Sequence, residues 1–202
     1  MISYFSLVIQ VITLIVSLVM LKKYNTIFLM LLTILCFSTV VVEVIGDYHV
    51  KNGTSNFIYY YIFTLVECSL ITLMYINLAT DNKTIKIHKL FFLFFLISWL
   101  IVWINRDFFR YCLLVESIVI GVYVLLFLRN LLLSDKILSY KKSLSFWISI
   151  GFMVFYLPSI PFFIILEYMQ NRKLFFVLDV LTILMGLLII YGLLCSNKKE
   201  RY

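Results

Sequence analysis

The sequence predicts an all-α protein that crosses a membrane seven times. Of its 202 residues, 64% are hydrophobic and 13% are charged, whereas an ordinary soluble domain is about 45–50% apolar and about 25% charged. The mean hydropathy is +1.08, and the apolar runs are continuous, without the alternation that barrel strands require. This composition excludes a soluble enzyme, a nucleic-acid-binding domain, a disordered chain and a small disulfide-rich protein.

Seven stretches are long enough to span a bilayer, which takes about 20 mostly apolar residues. They occupy most of the chain and leave only short connections. We therefore expect one integral membrane domain over residues 1–202, a seven-transmembrane-helix bundle with no separate soluble domain. The predicted helices cover residues 2–21, 25–45, 57–78, 87–104, 111–128, 145–167 and 174–195.

Turn signals support these elements in order. The first stretch has no basic segment before it and no small-residue cleavage site after it, so we interpret it as a retained helix. Asn52-Gly53 separates helices 2 and 3, and Asp81-Asn82 separates helices 3 and 4. Asn105-Arg106-Asp107 makes a tight link between helices 4 and 5. After helix 5, Leu131-Leu132-Leu133 fits either an amphipathic turn on the membrane or an extension of that helix.

The positive charges predict the orientation. The formal net charge is +7, and basic residues of membrane proteins concentrate on the cytoplasmic side, so this charge requires no nucleic-acid partner. We expect the N-terminus outside, the C-terminus in the cytoplasm, and a multi-pass protein of a bacterial inner membrane. The predicted cytoplasmic side carries Lys22, Lys23, Lys83, Lys86, Lys89, Arg129, Lys136, Lys141, Lys142, Lys198, Lys199 and Arg201. The predicted outer side carries Lys51, Arg106, Arg110, Arg172 and Lys173.

The cysteines and histidines predict no metal site. His49 and His88 fall in predicted loops on opposite sides of the membrane, so we interpret both as solvated loop residues. No phosphate-binding loop, metalloprotease motif or serine hydrolase motif is present. We expect no metal and no cofactor. The cysteine spacing matches no zinc or haem pattern. We interpret all four cysteines as reduced residues that pack within helices: Cys36, Cys68, Cys112 and Cys195.

Ionisable residues inside the hydrocarbon are costly and are functional candidates by default. The spans contain Glu43, Glu67, Glu116 and Asp179, with Glu167 near the outer end of helix 6, but no deep Lys or Arg. Each acid must therefore be protonated, hydrogen-bonded, hydrated or close to a cation. All lie between mid-membrane and the predicted outer side. They predict an acidic vestibule with Glu67 at its floor, or alternatively polar contacts that hold the helices together.

Helical spacing places polar neighbours beside these acids. Tyr60, Thr64 and Glu67 share one face of helix 3 because they lie at i, i+4 and i+7. The same spacing argument groups Cys36 and Thr39 with Glu43, Cys112 with Glu116, and Thr182 and Gly186 with Asp179.

Helix 6 contains both prolines of the chain, Pro158 and Pro161. A proline inside a helix removes a backbone hydrogen bond and bends the helix. We interpret the pair as a gating hinge, with a static bend as the alternative.

Two sets of residues carry a resemblance. The first runs from Glu43 to Gly46, then through Asn52-Gly53, Asn56 and the segment from Tyr60 to Glu67; the second is Phe146-Trp147-Ile-Ser-Ile-Gly151, followed by Tyr156. They resemble a group of small uncharacterised bacterial seven-helix proteins, which share acids in helices 2 and 3 and an FWISxG start to helix 6. The resemblance implies the seven-helix fold and a role for Glu43, Asn56, Tyr60, Glu67 and Tyr156. It implies no activity.

By size and topology the chain is also similar to membrane components of bacterial antiphage and CRISPR operons. We therefore expect a non-enzymatic membrane effector or sensor that assembles as a homo-oligomer, conducts cations and responds to a cytoplasmic protein through its basic loops. The expected ion pathway comprises Glu43, Asn56, Tyr60, Thr64, Glu67, Glu116, Tyr156 and Asp179. One alternative is an intramembrane lipid hydrolase, since Gly46-Asp47 resembles the GD element of membrane lysoplasmalogenases. Another is a receptor-like sensor of a small ligand.

Overall fold

The computed structural model describes residues 2–134, 143–166 and 175–195. Within these ranges the chain forms seven helices, each long and apolar enough to cross a membrane, which confirms the predicted all-α bundle. They are α1 (Ile2–Tyr24), α2 (Ile27–Lys51), α3 (Phe57–Leu78), α4 (Asn82–Ile104), α5 (Phe109–Leu132), α6 (Leu144–Ile165) and α7 (Phe176–Cys195). Glu167, the basic residues from Lys136 to Lys142, Arg172, Lys173 and the predicted tail lie outside the described residues.

Successive helices run in opposite directions, so the bundle has two distinct ends. We call the end at which α1, α3, α5 and α7 begin end A, and the end at which α2, α4 and α6 begin end B. The charge pattern predicts that end A lies outside the cell and end B in the cytoplasm.

Six of the helices form a closed ring. Along it, α1 packs against α2, α2 against α3, α3 against α5, α5 against α6, α6 against α7, and α7 against α1. The remaining helix, α4, lies outside the ring against α3 and α5. The order of the helices in the sequence therefore does not determine which helices are in contact, because α3 and α5 pack directly against each other.

Three helices, α2, α4 and α5, are markedly longer than the hydropathy pattern indicates. Helix α2 continues to Lys51, and α4 begins at Asn82, where the side chain of Asp81 accepts a hydrogen bond from the Thr84 backbone N–H. The interpretation of both histidines as loop residues was wrong, since His49 lies in the last turn of α2 and His88 is a buried residue of α4. Polar residues near a helix end lower the local hydropathy without ending the helix.

The turns otherwise follow the sequence signals. Gly53 adopts a positive φ of 68° between α2 and α3, a conformation that glycine adopts without steric cost. Arg106–Phe108 form a short 3-10 turn between α4 and α5. Helix α5 extends through Leu132, with Leu133 at its C-cap, which favours the helix-extension interpretation of this segment. The free cysteines Cys36, Cys68 and Cys112 are buried or half-buried within helices, as predicted. Cys195 at the end of α7 is exposed, so its interpretation as a packing residue was wrong.

The tightest apolar packing lies in the half of the bundle near end B. Side chains from five ring helices are fully or almost fully buried there. They include Leu29, Leu32, Ile71, Met74, Ile120, Val124, Leu144, Ile148 and Leu193. The half near end A is packed less completely and contains the main cavity.

Candidate functional site

A cavity of about 230 Å³ lies inside the six-helix ring. A single buried water needs roughly 10–15 Å³, so this space accommodates a small organic molecule. Every ring helix contributes to its wall, and α4 contributes nothing. The polar residues of the wall are Gln10, Thr13, Thr39, Glu43, Tyr60, Thr64, Glu67, Glu116, Ser117, Tyr156 and Thr182.

The helical spacing of the sequence explains why these side chains meet. Tyr60, Thr64 and Glu67 all face the cavity from α3, as their shared helix face predicts. Glu67 lies ten residues into α3, which is about 15 Å along the helix axis and near the middle of a hydrocarbon core of about 30 Å. The cavity therefore extends from the region of end A to mid-bundle.

The first acid, Glu43, is held by a tyrosine from the neighbouring helix. The Tyr60 hydroxyl donates to Glu43 Oε2 over 3.2 Å. Gly46, one turn from Glu43 on α2, makes this possible, because a Cβ at that position would lie 2.7 Å from the Tyr60 oxygen. Glu43 also lies within electrostatic range of Asp47 and Asp179 near end A.

The second acid, Glu67, is held by α6. The Tyr156 hydroxyl donates to Glu67 Oε1 over 2.6 Å, and Tyr156 itself is buried. Glu67 interacts electrostatically with both Glu43 and Glu116. Glu67 thus links the other two acids of the cavity wall.

The third acid, Glu116, has an unsatisfied oxygen. Its side chain is 3% exposed, and Oε1 has no hydrogen-bond partner among the described residues. Gln10 Oε1 is in the same condition on the opposite wall. Buried polar atoms in native proteins normally have partners, so these two oxygens, on residues that line one cavity, are exceptions that mark this part of the wall.

Much of the remaining wall is aromatic. Phenylalanines extend from α3, α5 and α6, and the rings of Tyr60 and Tyr156 add to them. The phenylalanines are Phe63, Phe109, Phe152, Phe155 and Phe163. The cavity is therefore mainly apolar with a few converging polar groups, the usual character of a small-molecule site.

Four predicted site residues lie outside this wall. Asp179 accepts a hydrogen bond from Ser6 over 3.3 Å, which ties α7 to α1 near end A. Asn56 is the N-cap residue of α3, without a side-chain capping bond. Pro158 and Pro161 lie on the exposed face of α6, and α6 is continuous through both.

The sequence analysis missed the contribution of α1. Gln10 and Thr13 line the cavity, and Ser6 and Ser17 are buried on the same side of α1. These four polar residues lie at i, i+4, i+7 and i+11, which is one helix face. That stripe was readable from the sequence, but a search for ionisable residues does not find it.

No basic side chain from the described residues lines the cavity. Within the same ranges, the one ion pair joins Asp47 and Lys51 along the exposed surface of α2. No group of three His, Cys, Asp or Glu side chains there is arranged to hold a metal ion. Glu43 and Glu67 therefore have hydroxyl partners and Glu116 Oε1 has none, and no cationic side chain of the described residues pairs with any of the three.

Comparison with protein-family models, with curated proteins and with solved structures found no match to this chain.

Proposed function

We propose that this multi-pass membrane protein binds a small organic ammonium ion in the six-helix cavity. The observation that supports this most directly is the convergence of Glu43, Glu67 and Glu116, from three helices, on one cavity without a basic side chain in its described wall. A bound cation supplies the missing charge partner.

The physical chemistry of the wall favours an organic cation over a hydrated metal ion. Attraction between opposite charges is several-fold stronger in the protein interior than in water. The ring faces of Phe and Tyr add cation–π attraction. The apolar remainder of the wall stabilises the hydrocarbon part of a ligand but not the hydration shell of a small inorganic ion.

The test is binding of benzyltrimethylammonium to the purified chain in nanodiscs, measured by calorimetry. Its uncharged carbon analogue, neopentylbenzene, has the same shape and serves as the matched ligand. At an effective dielectric constant of about 20, opposite charges about 5 Å apart attract by about 3 kcal/mol, so Glu67→Gln and Glu116→Gln should each lower the affinity at least about tenfold. Asp107→Asn, an exposed acid near end A, is the control and should leave the affinity within about twofold.

The pH dependence of the ligand affinity provides an independent test. If the carboxylates bind the cation in their ionised form, protons compete with the ligand and the affinity rises with pH. Equal affinity for the cation and its neutral analogue, or no change in either glutamine variant, would rule out the proposed site chemistry.

A more specific hypothesis is that cations cross the membrane through the same cavity. The apolar layer near end B separates the cavity from that end, so conduction needs a rearrangement, for which a hinge at Pro158 and Pro161 is a candidate. Ion flux through wild type and Glu67→Gln in liposomes tests it.

A role as an effector in antiphage defence, with a cytoplasmic partner, stays a prediction that co-purification with the neighbouring gene products would test.

One observation favours a second function, intramembrane acid–base catalysis on a lipid. Glu67 is hydrogen-bonded to Tyr156, whereas Glu116 has an unpartnered oxygen in the same cavity. Two carboxyl groups in unequal environments are the arrangement that acid and base roles require. Incubation with lysophospholipids and analysis of the products by mass spectrometry distinguishes this from binding alone, since only an enzyme consumes the lipid.

A further inference from the structure

A second cavity, of about 150 Å³, lies at the opposite end of the bundle, between α3, α4 and α5. It is at end B, far from the acids of the main cavity. Its wall combines hydroxyl, amide and imidazole groups with apolar side chains, among them Thr84, His88, Phe127, Asn130, Leu131 and Ser134.

His88 is the buried polar group of this wall. It is 1% exposed, and its ring meets the Tyr123 ring edge-on at 4.6 Å between centroids. The Tyr123 hydroxyl donates to the His88 backbone carbonyl over 2.9 Å, so the tyrosine fixes the backbone and leaves the imidazole free. His88 Nδ1 has no partner among the described residues. Buried polar atoms normally have partners, so this nitrogen is an exception within a residue that lines the cavity.

The rest of the polar wall is neutral and incompletely bonded. Asn130 Nδ2 donates to Thr84 Oγ1 over 3.5 Å, at the long limit of a hydrogen bond. Ser134 donates to the Leu131 carbonyl, which leaves its oxygen able to accept. Thr80 is exposed and marks where the cavity reaches the surface. These groups suit hydroxyls and ester oxygens.

Two exposed basic residues lie next to wall residues in the sequence, although neither lines the cavity itself. Lys83 directly precedes Thr84, and Arg129 directly precedes Asn130, and both basic residues are exposed. The carboxylate of Asp81 also lies here, but it caps α4. Hydrogen bonds from the Thr84 hydroxyl and backbone N–H lower the Asp81 pKa. The positive-inside rule explains the basic residues but does not explain a polar cavity beside them.

We propose that this cavity binds the headgroup of an anionic glycerophospholipid. Lys83 and Arg129 contact the phosphate diester at the rim, while Thr84, Asn130 and Ser134 bond the headgroup hydroxyls. The location selects a lipid over a soluble phosphate ester. His88 lies six residues into α4, about 9 Å along the axis, which is the depth at which headgroups meet hydrocarbon, and Phe127 and Leu131 supply apolar wall beside it.

The experiment is native mass spectrometry of the full chain, delipidated in detergent and titrated with phosphatidylglycerol or phosphatidylcholine. We expect phosphatidylglycerol to bind about tenfold more tightly. Both lipids carry the phosphate diester, but only phosphatidylcholine adds a choline cation, which Lys83 and Arg129 repel. The combined Thr84→Val and Asn130→Leu variant should lose about tenfold in phosphatidylglycerol affinity. Lys83→Gln with Arg129→Gln alters only exposed side chains, so folding is not at risk, and should remove the preference between the two lipids.

Lys22→Gln with Lys23→Gln is the matched control, since these residues carry equal charge at end B away from the cavity. It should leave the lipid preference unchanged. An equal loss in this control, or no preference in wild type, would overturn the proposal, because the binding would then reflect surface charge alone. Displacement of the lipid by millimolar glycerol 3-phosphate would assign the site to a soluble phosphate ester.

Discussion

Replacement of Gly46 by alanine tests the link between helix packing and the main cavity. The new Cβ would lie 2.7 Å from the Tyr60 oxygen, 2.9 Å from its Cε2 and 3.0 Å from its Cζ. Carbon atoms in favourable contact are about 3.5–4.0 Å apart, so the ring must move by roughly 0.5–1 Å. A displacement of that size breaks the 3.2 Å hydrogen bond from Tyr60 to Glu43.

The expected cost follows from three contributions. Overpacking of a close contact costs about 1–3 kcal/mol, and an interhelical hydrogen bond in a membrane contributes about 0.6 kcal/mol. Alanine regains about 0.5–1 kcal/mol because glycine is unfavourable inside a helix. The net destabilisation of Gly46→Ala is therefore about 1–3 kcal/mol.

The assay is equilibrium unfolding in mixed micelles, followed by helix content, with Gly121→Ala as the matched control. A Cβ at Gly121 meets only Leu157 Cδ2, at 3.0 Å, and that methyl group can rotate away, so this variant should be neutral or slightly stabilised. Tyr60→Phe removes the closest atom and should recover part of the loss in Gly46→Ala. If Gly46→Ala and Gly121→Ala had the same free energy of unfolding, the close approach of α2 and α3 at Gly46 would not contribute to stability.

Three further predictions concern other helix contacts. Tyr156→Phe removes the hydroxyl that holds the mid-cavity carboxyl, and should lower the unfolding free energy in mixed micelles by about 0.6–1.7 kcal/mol. Gly186→Ala brings a Cβ against Ile9 Cγ2 and should destabilise the bundle, with partial recovery in the double variant with Ile9→Ala; additive losses would contradict a direct contact. Thr84 lowers the Asp81 pKa by hydrogen bonds from its hydroxyl and N–H, so this contribution to stability is present above the ordinary value of 3.8 and is lost as pH falls below it. Asp81→Ala should flatten that part of the pH–stability profile, measured from pH 2 to 6, and an unchanged profile would mean that the cap is not formed.

The sequence predicted the polar faces of α2 and α3 correctly because helical periodicity is a local property. Cys36, Thr39 and Glu43 line the cavity from α2, as their spacing indicates. Asp179 and Asn56 lie outside the wall, since depth in the membrane does not determine the rotation of a helix toward its neighbours. That rotation depends on packing.

The error at His88 has a similar origin. Hydropathy averages over a window, so the three lysines near the start of α4 made that turn resemble a loop. In the structure the lysines lie on the exposed side and His88 lies on the buried side of the same helix. A hydropathy average over a window gives one value for the whole turn, so it does not distinguish a buried residue from its exposed neighbours.

The sequence by itself determined the membrane class, the number of spans and the faces on which polar residues lie, because transfer free energy and helical period act locally along the chain. Only the tertiary structure decided that α3 contacts α5 and that α4 lies outside the ring. The same packing placed Tyr60 on Glu43, placed Tyr156 on Glu67, and left Glu116 Oε1 without a hydrogen-bond partner among the described residues. These contacts join residues 17 and 89 positions apart, and they depend on where small residues such as Gly46 allow two helices to approach.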